Sequence, residues 1–209
     1  MLYGTIACLG DSLTYGARCE GDGWPELLPG ELATRSRADL IWSTLNRGVC
    51  GERTWDVLRR TPGVVRELTS TPGSRWLVVL VGTNDLKGAT PSGDRSAATS
   101  ERYARLLRQL LAWPARSGLA TVVCTLPPVD WRGCPEFTPH SDALRAELNR
   151  RVSEFAPVDG DWRWQPVVCD LSDIGRDALL DDGVHLSPAG HRTVASRVAR
   201  IIHPTKEPR

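Results

Sequence analysis

Five short apolar runs, each followed by a longer stretch with helical periodicity, limit what this chain can fold into. The runs cover residues 5–9, 40–45, 76–81, 121–126 and 166–170. Their apolar residues sit side by side instead of alternating, as strands covered on both faces require. Helical segments are expected at 24–36, 55–68, 98–116, 141–155 and 188–202. Leu144, Leu148, Val152 and Phe155 share one stripe of the fourth, and Val194, Val198, Ile201 and Ile202 one stripe of the last, both read as core-facing. Pro29 and Pro114 predict kinked or shortened helices, and Ser187-Pro188 reads as a cap followed by proline at the first helical position. Repeated βα units with right-handed crossovers predict a three-layer α/β/α fold around a five-stranded parallel sheet. A flavodoxin-like strand order, 2-1-3-4-5, places strand 1 centrally, between strands 2 and 3. No repeat or linker divides the 209 residues, so residues 1–203 are read as one domain and 204–209 as a disordered tail.

In such a sheet every strand ends on the same edge, where ligands bind, and the residues just past the strand ends carry the chemistry. After strand 1 comes Gly10-Asp11-Ser12-Leu13, and after strand 2 Asn46-Arg47-Gly48-Val49-Cys50-Gly51-Glu52-Arg53-Thr54. Strand 3 is followed by Gly82-Thr83-Asn84-Asp85, and strand 5 by Asp181-Asp182-Gly183-Val184-His185. Taken alone, Gly-Asp-Ser is a turn sequence. Together the four loops answer the needs of acyl transfer from an ester: a nucleophile, a base, an acid that orients the base, and donors for a developing oxyanion. Ser12, His185 and Asp182 fill the first three roles, and the N–H groups of Ser12 and Gly51 with the Asn84 amide fill the fourth. Asp181 competes with Asp182 as the acid. A histidine base predicts activity that falls on the acid side as the imidazole protonates.

These blocks, Gly10-Asp11-Ser12-Leu13, Asn46…Gly51…Thr54, Gly82-Thr83-Asn84-Asp85 and Asp182-Gly183-Val184-His185, resemble in order the four main blocks of the SGNH (GDSL) hydrolase family. The resemblance spans nearly the whole chain. It implies a flavodoxin-like sheet, no cofactor, and hydrolysis of esters or thioesters through an acyl-enzyme. It also implies Ser12 as nucleophile and oxyanion donor, Gly51 and Asn84 completing the oxyanion hole, His185 as base, and Asp182 over Asp181 as the acid. Arg53 departs from the family pattern, where a small residue is usual, and suggests a guanidinium that binds a carboxylate or phosphate on the substrate.

A small-molecule ester of a short or medium acyl group is the expected substrate. An acyltransferase or a carbohydrate O-acetylesterase with the same triad is the alternative, and a non-catalytic binding module is remote. Trp24 and Trp55 are candidates for walls of the acyl pocket, and Trp131, in the long loop after strand 4, for stacking on a sugar. Trp42 and Trp76 are read as core, while Trp162 and Trp164 fall at the opposite edge. Asp11 and Asp85 are read as shaping their own loops, and His140, His191 and His203 as structural or exposed. Residues 87–99 are read equally as a lid or a surface loop.

A formal net charge of +1, with arginines scattered among acids, argues against a nucleic-acid partner. No run approaches the ~18 apolar residues of a membrane span, and no leader precedes Ser12, so a soluble, cytoplasmic protein is expected. The six cysteines form no Cys-x-x-Cys pair, and no metal site is expected. Cys8, Cys124 and Cys169 are read as buried hydrophobes. Cys19, Cys50 and Cys134 leave room for a disulfide, with the reduced state favoured. The oligomeric state is not legible in the sequence.

Overall fold

The sheet is organised around β1 (Leu2–Gly10), whose stretch Ile6–Leu9 is wholly buried on both faces. A computed structural model describes residues 2–35, 40–91, 93–155 and 165–203. β2 (Leu40–Gly48) and β3 (Ser74–Leu80) flank β1, followed by β4 (Ala120–Cys124) and β5 (Val167–Cys169). All pairings are parallel and the order is β2-β1-β3-β4-β5, as expected of a flavodoxin-like sheet. β2, at the edge of the sheet, is an exception to burial on both faces: Ile41 is exposed while Trp42 is buried, so one of its faces is less covered.

The longer helices are α2 (Trp24–Ala33), α3 (Thr54–Thr69), α4 (Asp94–Arg116), α5 (Ser141–Ser153) and α6 (Pro188–Ile202), after a single turn, α1 (Ser12–Tyr15). α2 packs on α6, and α4 packs on both α3 and α5. α6 begins as the sequence predicts, with Ser187 Oγ accepting the Gly190 N–H at 3.2 Å ahead of Pro188. Pro29 and Pro114 do not end their helices. α2 continues to Ala33 and α4 to Arg116, each losing the one bond that a proline N–H would have donated. α4 starts at Asp94, so the expected loop 87–99 is largely helix at its far end. A 3-10 turn, Thr83–Leu86, directly precedes that loop. The end of the segment 24–36, Trp162, Trp164 and the 204–209 tail lie outside the described residues.

The sharp exit from β1 depends on Gly10. A Cβ there would lie 2.1 Å from the Leu80 carbonyl oxygen and 2.2 Å from Thr14 Oγ1, so any side chain would push α1 off the sheet. Asp11 caps the turn, its Oδ1 accepting the Leu13 N–H at 3.0 Å. Ser12 is thereby set at the first position of α1, on the edge where all five strands end.

Candidate active site

His185 Nε2 lies 3.2 Å from Ser12 Oγ, and His185 Nδ1 lies 2.7 Å from Asp182 Oδ2. These groups are 173 and three residues apart in the chain. The Asp182 loop is tightly held. Asp182 Oδ1 accepts the N–H groups of Val184 (3.0 Å) and His185 (2.9 Å), and the Gly183 carbonyl accepts the Asp130 N–H at 2.8 Å. Burial works to raise the Asp182 pKa, but the backbone N–H groups of His185 and Val184, then the imidazole, bring it below the usual carboxylate range. An ionised Asp182 accepts the Nδ1 proton and leaves Nε2 as an acceptor for the Ser12 hydroxyl. The arrangement can thus move a proton from Ser12 to His185.

Ser12, His185, Gly51 and Asn84 line one cavity of about 300 Å³, whose apolar wall includes Ala17, Phe137 and Val184. Gly51 has φ +81°, a conformation an L-residue with a side chain rarely adopts. The Asn84 amide is aimed by its 2.9 Å bond to the Glu52 carbonyl. Glu52 in turn is held by Arg60, whose Nε donates to Glu52 Oε2 (2.7 Å) and whose Nη2 donates to the Gly10 carbonyl (2.8 Å). One guanidinium therefore joins the end of β1 to the Gly51 loop, a link with no visible motif in the sequence.

The model of the GDSL-like lipase/acylhydrolase family matches residues 8–193, which include all four loops. The chain belongs to this family. Among solved structures, the lipase/acylhydrolase from Enterococcus faecalis superposes with a TM-score of 0.71 at 19% identity, each chain covered in full. An inhibitor-bound aryl esterase of M. smegmatis gives 0.69 at 19% identity, covering 96% of this chain and 99% of that one. The acetylxylan esterase Axe2 from Geobacillus stearothermophilus gives 0.66 at 18%, covering 95% and 93%. At such identities the likeness is one of fold. A search of the curated proteins found no match. The GDSL-like hydrolase family makes the chain an esterase, and small-molecule esters its substrates.

Not every residue singled out in the sequence reaches the Ser12 cavity of this GDSL-like hydrolase. Arg53 caps α3, its N–H donating to Asp56 Oδ2 at 3.1 Å, and it does not line the cavity. Trp55, in the first turn of α3, is exposed and also absent from its walls. Trp24 is fully buried in the core, its backbone N–H donating to His191 Nδ1 at 3.1 Å. The reason is common to all three: a helix start turns successive side chains 100° apart, and the chain's spacing does not say which one faces the strand ends. Trp131 is 41% exposed and lines a second cavity of about 420 Å³ with Arg132, Asp142 and Arg176. The loop 128–139 walls both cavities, presenting Cys134 and Phe137 to the Ser12 side.

Sequence reasoning missed Arg18, Lys87, Cys50, Cys134 and Phe137 as lining residues. Their one signal is that each lies in a segment leaving the edge where the strands end. All six cysteines are free thiols, so Cys19, Cys50 and Cys134 form no disulfide here. Asp85 does not shape its own loop: its Oδ2 accepts the N–H and hydroxyl of Thr54, both at 2.9 Å, tying the Asn84 turn to α3. Among the described residues, no group of three or more His, Cys, Asp or Glu side chains is placed to hold a metal, and no helix is long and apolar enough to cross a membrane.

Asp11, next to Ser12 in the chain, is fully buried, and its Oδ2 has no hydrogen-bond partner. Burial pushes its carboxyl up to about 7 against the pull of the Leu13 N–H, with Asp85 and Glu52 adding to the rise. The folded state then holds a proton that the unfolded chain releases from about pH 4 upward, so this group's contribution to stability is lost as pH rises toward 7. Asp11→Asn removes that titration. In urea unfolding, the stability of Asp11→Asn relative to wild type is expected to climb between about pH 4 and 7 by up to a few kcal/mol. Curves that stay parallel across that range would contradict a protonated Asp11.

Proposed function

We propose that this protein hydrolyses esters, or thioesters, of short acyl groups through an acyl-enzyme on Ser12. The observation that carries the proposal is the unbroken hydrogen-bonded chain Asp182–His185–Ser12, at 2.7 and 3.2 Å, on the wall of a cavity of about 300 Å³. In the first step Ser12 Oγ attacks the ester carbonyl carbon while its proton passes to His185 Nε2. The carbonyl π electrons move onto oxygen, which faces the N–H groups of Ser12 and Gly51 and the Asn84 amide. Collapse re-forms the carbonyl and expels the alcohol, which leaves with the proton from Nε2. Water then repeats the sequence against the acyl-enzyme, its proton going to Nε2 and then to Ser12. Asp182, kept ionised by its backbone donors, supports the imidazolium of each half. The modest volume of the cavity, lined by Phe137 and Val184 among others, favours short acyl chains.

The test is covalent. A fluorophosphonate probe is expected to add to Ser12, located by peptide mass spectrometry, with loss of turnover of nitrophenyl acetate in step with labelling. A protein that turns over the ester yet carries the adduct elsewhere, or none, overturns the assignment.

The exposed indole of Trp131, grouped with Asp142, Arg132 and Arg176 on the outer side of the loop that walls the Ser12 cavity, favours a second reading as a carbohydrate O-acetylesterase. The acetylxylan esterase among the structural neighbours fits that reading. Release of acetate from nitrophenyl acetate with none from acetylated oligosaccharides removes it.

A further inference from the structure

Arg18 is the one non-glycine residue with positive φ among the described residues, at 61°. Backbone strain of this kind persists where the surroundings impose it, and marks a place to look for function. Arg18 follows α1 directly, in a turn closed by the Ala17 N–H on the Ser12 carbonyl (3.0 Å) and the Cys19 N–H on the Gly16 carbonyl (3.2 Å). From there its Nη1 reaches Asp182 Oδ2 at 3.0 Å, across 164 residues of chain. That oxygen is the one that faces His185 Nδ1. Arg18 also lines the Ser12 cavity, and its side chain is 68% exposed.

We propose that Arg18 is a positioning residue that acts through Asp182. Its guanidinium holds Oδ2 toward His185 and keeps the imidazole in its unprotonated, base-competent form to lower pH than Asp182 alone allows. The physical reason is that one carboxylate oxygen serves two partners. With Arg18 bound, part of the negative charge that would favour an imidazolium is already compensated, so a proton gains less by settling on the resting His185. The same bond restrains rotation of the carboxylate when the imidazole moves toward substrate. This rests on the assignment of His185 and Asp182 as base and orienting acid.

Other charged and titratable groups lie around the imidazole. Lys87 and Glu136, at the cavity wall, pair with each other at 2.8 Å, and the thiols of Cys50 and Cys134 share that wall. His191 on α6 is held neutral across the working range, its pKa lowered to about 4 by burial and then by His185. Asp11 lies beneath Ser12 and titrates near 7. All of these are common to wild type and an Arg18 variant, so the difference between two pH profiles isolates Arg18.

The experiment is the pH dependence of kcat/KM on nitrophenyl acetate for wild type, Arg18→Gln, Arg18→Lys and Arg18→Gly. The acid limb of Arg18→Gln is expected to move up by about half a pH unit, the size set by an exposed, solvent-screened ion pair. Arg18→Lys, which keeps the charge, is expected to stay near the wild-type limb. Arg18→Gly is expected to show the Gln limb while melting no lower than wild type, because glycine relaxes the strained backbone. A Gln limb that overlies wild type overturns the proposal, as does a Lys limb displaced as far as Gln, or a Gly variant that melts lower. If wild type itself shows no acid limb in the imidazole range, the base assignment fails instead, which keeps the two outcomes distinct.

Discussion

Ser12→Ala is expected to lower kcat/KM on a short-chain nitrophenyl ester by about four to six orders of magnitude. The substitution removes the attacking oxygen and one contact, the 3.2 Å approach to His185 Nε2. It leaves the local fold alone, because the α1 turn is capped by Asp11 and closed at Gly16, not by the serine side chain. Melting temperature and circular dichroism should therefore match wild type, which separates a lost nucleophile from a lost structure. A residual rate above water is expected, since the Gly51 N–H and the Asn84 amide can still polarise a bound carbonyl. Turnover within tenfold of wild type would remove Ser12 from the chemistry.

Asp182→Asn is expected to cost about 10⁴-fold in kcat with far less change in KM. The geometry says why so small a change is so damaging. Asp182 Oδ1 accepts two backbone N–H groups, from Val184 and His185, so the amide oxygen of an asparagine must take that side. Its NH₂ then faces both His185 Nδ1 and the Arg18 guanidinium. The imidazole can meet an NH₂ only as an acceptor at Nδ1, which moves its proton to Nε2 and leaves nothing to accept the Ser12 proton. Flipping the amide would set its NH₂ against two backbone donors. A steady-state comparison at neutral pH checks this, and an asparagine variant within tenfold of wild type would show that the imidazole is oriented by something other than Asp182.

Arg18 and Asp182 are expected to give different signatures, which makes them separable: loss of the carboxylate is expected to lower the plateau of the pH profile, and loss of the guanidinium to move its acid limb. Both act on one carboxylate oxygen, and the effects of pairs that share such an atom are not additive.

The strand segments, their parallel pairing and the positions of Ser12, Gly51, Asn84, Asp182 and His185 past the strand ends are all legible in the amino-acid sequence, whereas the strand order 2-1-3-4-5 comes from the flavodoxin-like architecture. Each of the former follows from local rules: contiguous apolar residues make strands covered on both faces, helical connections make neighbouring strands parallel, and parallel strands end on one edge. What the sequence does not contain is the direction of a side chain within a turn or the partner of a charge far along the chain. Arg53 and Arg18 show the difference. Arg53 departs visibly from its family's pattern and invites a role at the substrate, yet it caps α3 outside the cavity. Arg18 carries no motif, and its bond to Asp182 exists because a left-handed turn after α1 happens to face the loop that follows β5. Trp131 and Phe137 divide in the same way, lying on one loop but lining different cavities. Hydrophobic pattern sets which segments are buried. Which polar atoms meet is decided only when those segments pack, because distances of about 3 Å depend on turn geometry that no periodicity encodes.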